Sequence, residues 1–194
     1  MAITSEQIKQ LRDQTGISVM QCKKSLEEAG GDMDKALIIL KKKRSEAADK
    51  KSDRELGAGA VGVYAHNTNE VAAMVFLACE TDFVAKNEEF TTLAREIAMH
   101  VAAQNPKYVS REQVTPEALE KAKEVFAEEV KDKPAEMQDK ILQGKLDSYF
   151  KDQILLEQPF IKNPETTIGE MVNGAVQKFG ENVTIAGVER LAVK

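Results

Sequence analysis

The residues in this chain that could do chemistry gather at Cys79-Glu80-Thr81-Asp82-Phe83-Val84, where an apolar run gives way to a loop. Cys79, His66 and Asp82 invite a nucleophile reading. A cysteine nucleophile needs a positioned base and an electropositive, accessible site. Cys79 instead ends an apolar strand, where a free cysteine is a small packed hydrophobe. Asp82 and Phe83 read differently: an acid and a large aromatic side by side on a rigid platform form a protrusion suited to pushing into another protein. His66 lies before a turn and His100 on a helix, and both are expected to be partly exposed and inert. Two His and two Cys at these separations make no zinc signature. No GxxxxGK[ST] is present. Gly57-x-Gly59-x-x-Gly62 matches GxGxxG by letter, but it precedes a strand rather than following one. No metal, cofactor or nucleotide site is expected, and the chain is not read as an enzyme.

Two basic stretches remain. Lys41-Lys42-Lys43-Arg44 could meet RNA or an acidic protein, but a solvated helix end with cations near its C-terminus is the simpler reading. Lys23-Lys24 lies beside Val19 and Met20 at the start of a helix, and these four residues make a candidate docking face. A net charge of −5 over 194 residues argues against nucleic acid as the main partner. Cys22 and Cys79 suggest a reduced, cytoplasmic setting. The first fourteen residues lack the apolar core of a signal peptide, and no apolar stretch is long enough to span a bilayer, so no membrane role is expected.

The elements that must position these residues follow from periodicity. Thr4 with Gln7, Ser18 with Gln21, and Asp32 each start a helix. Thr15-Gly16 and Gly30-Gly31 stop the first two. Ile8 and Leu11 start an apolar stripe, Val19, Cys22, Leu26 and Ala29 fall on one face, and Met33, Ala36, Leu37 and Leu40 point inward. Ser45 to Glu55 reads as the third helix fading into a mobile linker. A hairpin follows: Ala60 to His66, with Val61, Val63 and Ala65 on one face, and Val71 to Cys79, a central strand covered on both faces. Glu88 to Gln104 is a helix. Thr115 to Phe150 predicts a helical hairpin with a break near Gly144, and Ile154 to Ile161 a loop or edge strand. Thr167 with Glu170 starts a helix that ends at Gly180, and a closing strand bends near Gly187. The fold class is α+β: a small three-helix bundle and linker over residues 1–55, and a core of antiparallel strands covered by helices over 56–194.

Two stretches in this order point to a family. Leu11-Arg12-Asp13-Gln14-Thr15-Gly16-Ile17-Ser18-Val19-Met20-Gln21-Cys22-Lys23-Lys24-Ser25-Leu26 and Cys79-Glu80-Thr81-Asp82-Phe83-Val84-Ala85-Lys86-Asn87 resemble the two signatures of bacterial elongation factor Ts. The likeness continues through Ala98-Met99-His100-Val101-Ala102-Ala103 and Pro159-Phe160 to the end. Departures are Gln21, where an acid is common, Ser25 for a usual Ala, and Phe76-Leu77-Ala78 for Glu, an apolar residue and Asn. The resemblance implies an exchange factor that binds the GDP form of elongation factor Tu and promotes GDP release. It further implies that Thr81, Asp82, Phe83 and Val84 disturb the partner's Mg²⁺ and phosphate site. Val19, Met20, Lys23 and Lys24 would dock a ubiquitin-associated-like bundle on the GTPase domain. With a single core half, the chain resembles short members, which implies a homodimer. A binding module for another partner and, more distantly, a cysteine-dependent enzyme stay open on the residues alone.

Overall fold

The computed structural model describes residues 3–131 and 134–193. Helices α1 (Ser5–Thr15), α2 (Val19–Glu28) and α3 (Met33–Asp49) open the chain. Thr4 and Gln7 form a capping box, and Ser18 and Asp32 cap α2 and α3 through the backbone N–H three residues on. Gly16 ends α1 with a φ of 66°, which costs a glycine little. Leu11, Ile17, Cys22, Leu26, Ala36 and Leu40 form the buried core of this bundle. Val19 is half exposed although it shares a helix face with the buried Cys22 and Leu26, because it starts its helix at the edge of that small core. Helix α3 extends past the basic run, as expected, and ends within the Ser45 to Glu55 stretch. It stays helical to Asp49, with Ala48 packed against the main core, and turns then lead into the sheet.

Strands β1 (Ala58–Ala65), β2 (Val71–Cys79) and β5 (Val183–Ala192) form an antiparallel sheet in the order β1-β2-β5. The register between β2 and β5 shifts at Phe76/Leu77, opposite Gly187 and Ile185, so the bend expected near Gly187 is a bulge. One face of the sheet carries the main core, in which Val75, Leu77 and Cys79 meet Phe90, Ala94, Ile97 and Val101 of α5 (Glu88–Gln104). Val61 and Val63 point the other way and are exposed, as are Met74 and Phe76. The cause is Gly62: a Cβ there would lie 2.1 Å from the backbone carbon of Ala94, so α5 sits directly on the strand. On β1, Ala60 and Gly62 therefore face the helix and Val61 and Val63 face out. Within this chain the central strand is covered on one face only.

A one-turn helix, α4 (Asp82–Ala85), lies between β2 and α5. Helices α6 (Pro116–Val130) and α7 (Ala135–Lys151) form the expected hairpin, with Ala122, Leu146, Phe150 and Ile154 in a core of their own. Residues 132 and 133, between them, lie outside the described residues. Helix α7 runs through Gly144 without a break. A two-residue strand β3 (Pro159–Phe160) pairs with β4 (Asn163–Thr167), whose polar sequence gave no strand signal. Helix α8 (Ile168–Phe179) starts with the Thr167–Glu170 capping box and packs against α3 and the main core. No helix among the described residues is long and apolar enough to cross a membrane.

Candidate functional site

Strand β2 delivers its last residue, Cys79, fully buried into the core. The chain then turns outward. The Thr81 hydroxyl caps α4 by accepting from the Val84 N–H at 3.5 Å, and Val84, 4 % exposed, drops back into the core. Phe83 lies between these inward anchors and is 82 % exposed. An apolar ring held out in water has no favourable hydration to keep it there. Its direction is imposed by the backbone on either side.

That backbone is tied down by a distant part of the chain. Gly180 ends α8, and the next residue, Glu181, reaches the Phe83 turn. One carboxylate oxygen of Glu181 accepts from the N–H groups of Glu80 (3.1 Å) and Thr81 (3.0 Å), and the other accepts from the Thr81 hydroxyl (2.6 Å). Glu80 returns the contact. Its carboxylate accepts from the Asn182 N–H at 2.6 Å and from Arg54 at 3.2 Å. The Asn182 N–H and then Arg54 hold the Glu80 carboxyl below its usual range. The Asn182 side-chain amide donates to the carbonyls of Ser52 and Arg54. Beside Phe83, the exposed Asp82 carboxylate accepts from Lys86 at 2.6 Å, and this pairing lowers its pKa.

The thiol of Cys79 donates to the Thr81 carbonyl, and burial, with Glu181 nearby, pushes its pKa up. Both effects oppose nucleophilic use. His100 is fully buried rather than partly exposed: its imidazole pairs with Gln158 at 2.9 Å and accepts from the Ile161 N–H. Burial lowers its pKa. Helix α5 presents His100 on its core side, next to Phe160. No group of three or more His, Cys, Asp or Glu among the described residues could hold a metal ion.

On the bundle, Met20 is 69 % exposed at the first turn of α2, and Val19, Lys23 and Lys24 are exposed with it. Lys23 pairs loosely with Glu27 at 3.9 Å. The basic run is solvated at Lys41, Lys42 and Lys43, but it lies inside α3 rather than at its end, and two of its lysines pair with other helices. Lys41 pairs with Glu170 of α8 at 2.9 Å and Lys43 with Glu28 of α2. Arg44 is half buried. It donates to the Thr15 carbonyl at 2.5 Å and to Gln177 of α8 at 3.1 Å, and burial lowers its pKa. Gln177 also donates to Gln21. Helix α8 therefore braces the bundle along its side, while the turn at its C-terminal end braces Phe83. Sequence reasoning missed Glu181, Asn182 and Arg54. Each reaches the turn across roughly a hundred residues or from another element, and no local pattern marks that.

The family model described as Elongation factor TS matches residues 47–194. The elongation factor Ts of Thermodesulfovibrio yellowstonii is 45 % identical over 194 residues, covering 100 % of this chain and 97 % of the relative. That of Carboxydothermus hydrogenoformans is 45 % identical over 185 residues, 94 % of this chain and 85 % of the relative. That of Thermosipho melanesiensis is 43 % identical over 193 residues, 98 % of each. These likenesses run through the bundle as well as the core.

Proposed function

The chain belongs to the elongation factor Ts family, and from that premise we propose that it is a guanine nucleotide exchange factor for elongation factor Tu. It binds the GDP form, promotes GDP release and lets GTP enter, in the elongation step of protein synthesis. The observation that carries this reading is Phe83, a large ring held in water on a tethered turn with Asp82 beside it.

GDP in a GTPase is held by Mg²⁺ and by backbone amides around its phosphates. Phe83 wedged between packed elements of the partner forces a discrete shift, since packed cores do not deform continuously. Asp82, exchanging Lys86 for donors on the partner, disturbs the polar shell around the ion. Thr81 caps the turn and Val84 anchors it, so their role in contact is to hold Asp82 and Phe83. Val19, Met20, Lys23 and Lys24 dock residues 1–55 on the GTPase domain, and residues 56–194 work on the nucleotide site. No bond is made or broken. By linkage, the factor weakens GDP as much as GDP weakens the factor.

The protein acts as a homodimer in the cytoplasm, where its partner works. The outer face of the sheet supports the dimer. Val61 and Val63 lie opposite Phe76 and Met74, and Leu191 lies opposite Ala72, which makes one apolar surface with Glu189 as its acidic member. A surface of this kind on an antiparallel sheet is one that a second sheet would cover. Sedimentation of the wild type as a monomer at micromolar concentration would overturn the dimer.

The function is tested by stopped-flow release of fluorescent GDP from elongation factor Tu. Release should accelerate with the concentration of this protein, and Phe83→Ala should remove most of the effect without unfolding the chain. A folded wild type that leaves release unchanged would make the protein a binding scaffold for another partner.

A further inference from the structure

Helix α4 has four residues, one turn, and a single helical turn has no stability of its own. The outward direction of Phe83 must come from tertiary tethers. Val84 in the core and the Cys79 thiol on the Thr81 carbonyl supply two. The third comes from the turn between α8 and β5, and it does the most, because it takes both backbone N–H groups at the bend and the capping hydroxyl together. Thr81 uses its hydroxyl proton on Glu181, which leaves an oxygen lone pair for the Val84 N–H. Without the carboxylate, that hydroxyl is free to rotate off the cap, and two amides lose their acceptor.

We infer that Glu181 is a positioning residue for exchange, acting through Thr81 to fix the orientation of Phe83. This rests on the exchange reading above. The demand is geometric. The group at 181 must reach two adjacent N–H donors with one oxygen and a hydroxyl with its other polar atom. Glutamine has that reach: its carbonyl oxygen accepts from both amides, and its NH₂ donates to the Thr81 oxygen. Aspartate keeps the charge and loses one methylene of reach. Gln and Asp therefore separate position from charge.

The experiment compares wild type, Glu181→Gln, Glu181→Asp and Glu181→Ala, with and without Phe83→Ala, in GDP release from elongation factor Tu. Maximal rate and half-saturating concentration are read separately, and backbone amide exchange at Glu80, Thr81 and Val84 is followed in the free protein. Glu181→Gln should stay within about threefold of wild type, and Glu181→Asp and Glu181→Ala should fall about tenfold or more in maximal rate, the size of effect that misplacing a working group produces. Glu181→Ala should add little to a chain already carrying Phe83→Ala, because both changes remove the same interaction. Full activity in Glu181→Ala, or an active Asp variant beside an inactive Gln variant, would overturn the inference. Additive losses in the double variant would do the same. If Ala fails to fold, Gln and Asp still decide. A folded wild type without exchange activity would defeat the exchange reading instead. The amide exchange would then stand alone: slow in Gln and fast in Asp and Ala if Glu181 holds the turn, unchanged throughout if it does not.

Discussion

The Phe83 turn and the Met20 face share one design at the level of local sequence. In each, a hydroxyl residue caps a helix and the second residue after it is apolar and exposed: Thr81 and Phe83 on α4, Ser18 and Met20 on α2. What holds the two presented side chains differs. Helix α2 has ten residues and buries Cys22 and Leu26 in its own bundle, so its length and core fix Met20. Helix α4 has four, and its orientation depends on groups far along the chain. The same motif is self-supporting in one place and borrowed from the tertiary fold in the other. On the proposed reading, Phe83 as a wedge gains from a rigid mount on the sheet, while Met20 as a docking residue needs only a stable surface.

The sharpest way to break this comparison is to remove each presented side chain. Phe83→Ala should cost about 2 kcal/mol or more of coupling to the partner, the scale of a binding hot spot. That is a fall of roughly thirtyfold in stimulated GDP release. Met20→Ala should cost about 1 kcal/mol, read as a rise of roughly fivefold in the half-saturating concentration with the maximal rate kept. Equal losses at the two positions would erase the distinction.

Removing the caps sharpens it. Ser18→Ala should lower stability by about 1 kcal/mol in thermal unfolding and leave exchange intact, because α2 does not need its cap to stay in place. Thr81→Ala should cost a similar amount, about 1–2 kcal/mol, and should also slow exchange, because the hydroxyl belongs to the mount.

A smaller effect concerns the bundle alone. Ser25 is buried in α2, and its hydroxyl has no hydrogen-bond partner among the described residues. Ser25→Ala should raise the stability of the bundle by about 1 kcal/mol, measured as a higher midpoint of unfolding, with exchange unchanged.

Acid gives the mildest test. The folded pKa of Glu80 lies below its ordinary value of 4.5, chiefly because of the Asn182 N–H. Its stabilising contribution is present above that ordinary value and is lost as pH falls through the depressed one. Amide exchange at Asn182 should therefore quicken relative to its intrinsic rate as pH falls below that ordinary value, while the helical signal of the bundle persists.

The caps and stops were legible in the sequence because each is a local device: the Thr4–Gln7 and Thr167–Glu170 boxes and the glycines at 16, 30 and 180 all do what their positions predict. The facing of β1 was not legible. Alternation puts Val61 and Val63 on one face without saying which, and the close seat of α5 on Gly62 turns that face outward; nothing in the strand's own pattern records how near a helix will come. His100 was misplaced for a related reason. Its partners, Gln158 and Ile161, lie some sixty residues on. Phe83 stood out as an aromatic beside an acid, whereas its mount at Glu181 is an ordinary glutamate following a helix stop. The packing of the end of α3 was hidden because Arg44 reads as a surface charge until α8 is laid beside it.

The two cysteines give this arrangement a built-in clock. Cys22 and Cys79 are both free and fully buried, one beneath the bundle's presented face and one beneath the Phe83 turn. A thiol in that state reacts with an alkylating reagent only during the brief intervals when its surroundings part. The labelling half-time of each sulfur therefore counts how often its own region opens, with no probe added to the chain. Two such half-times from one sample, drawing apart as the partner binds, would time the seating of the bundle and of the wedge as separate events.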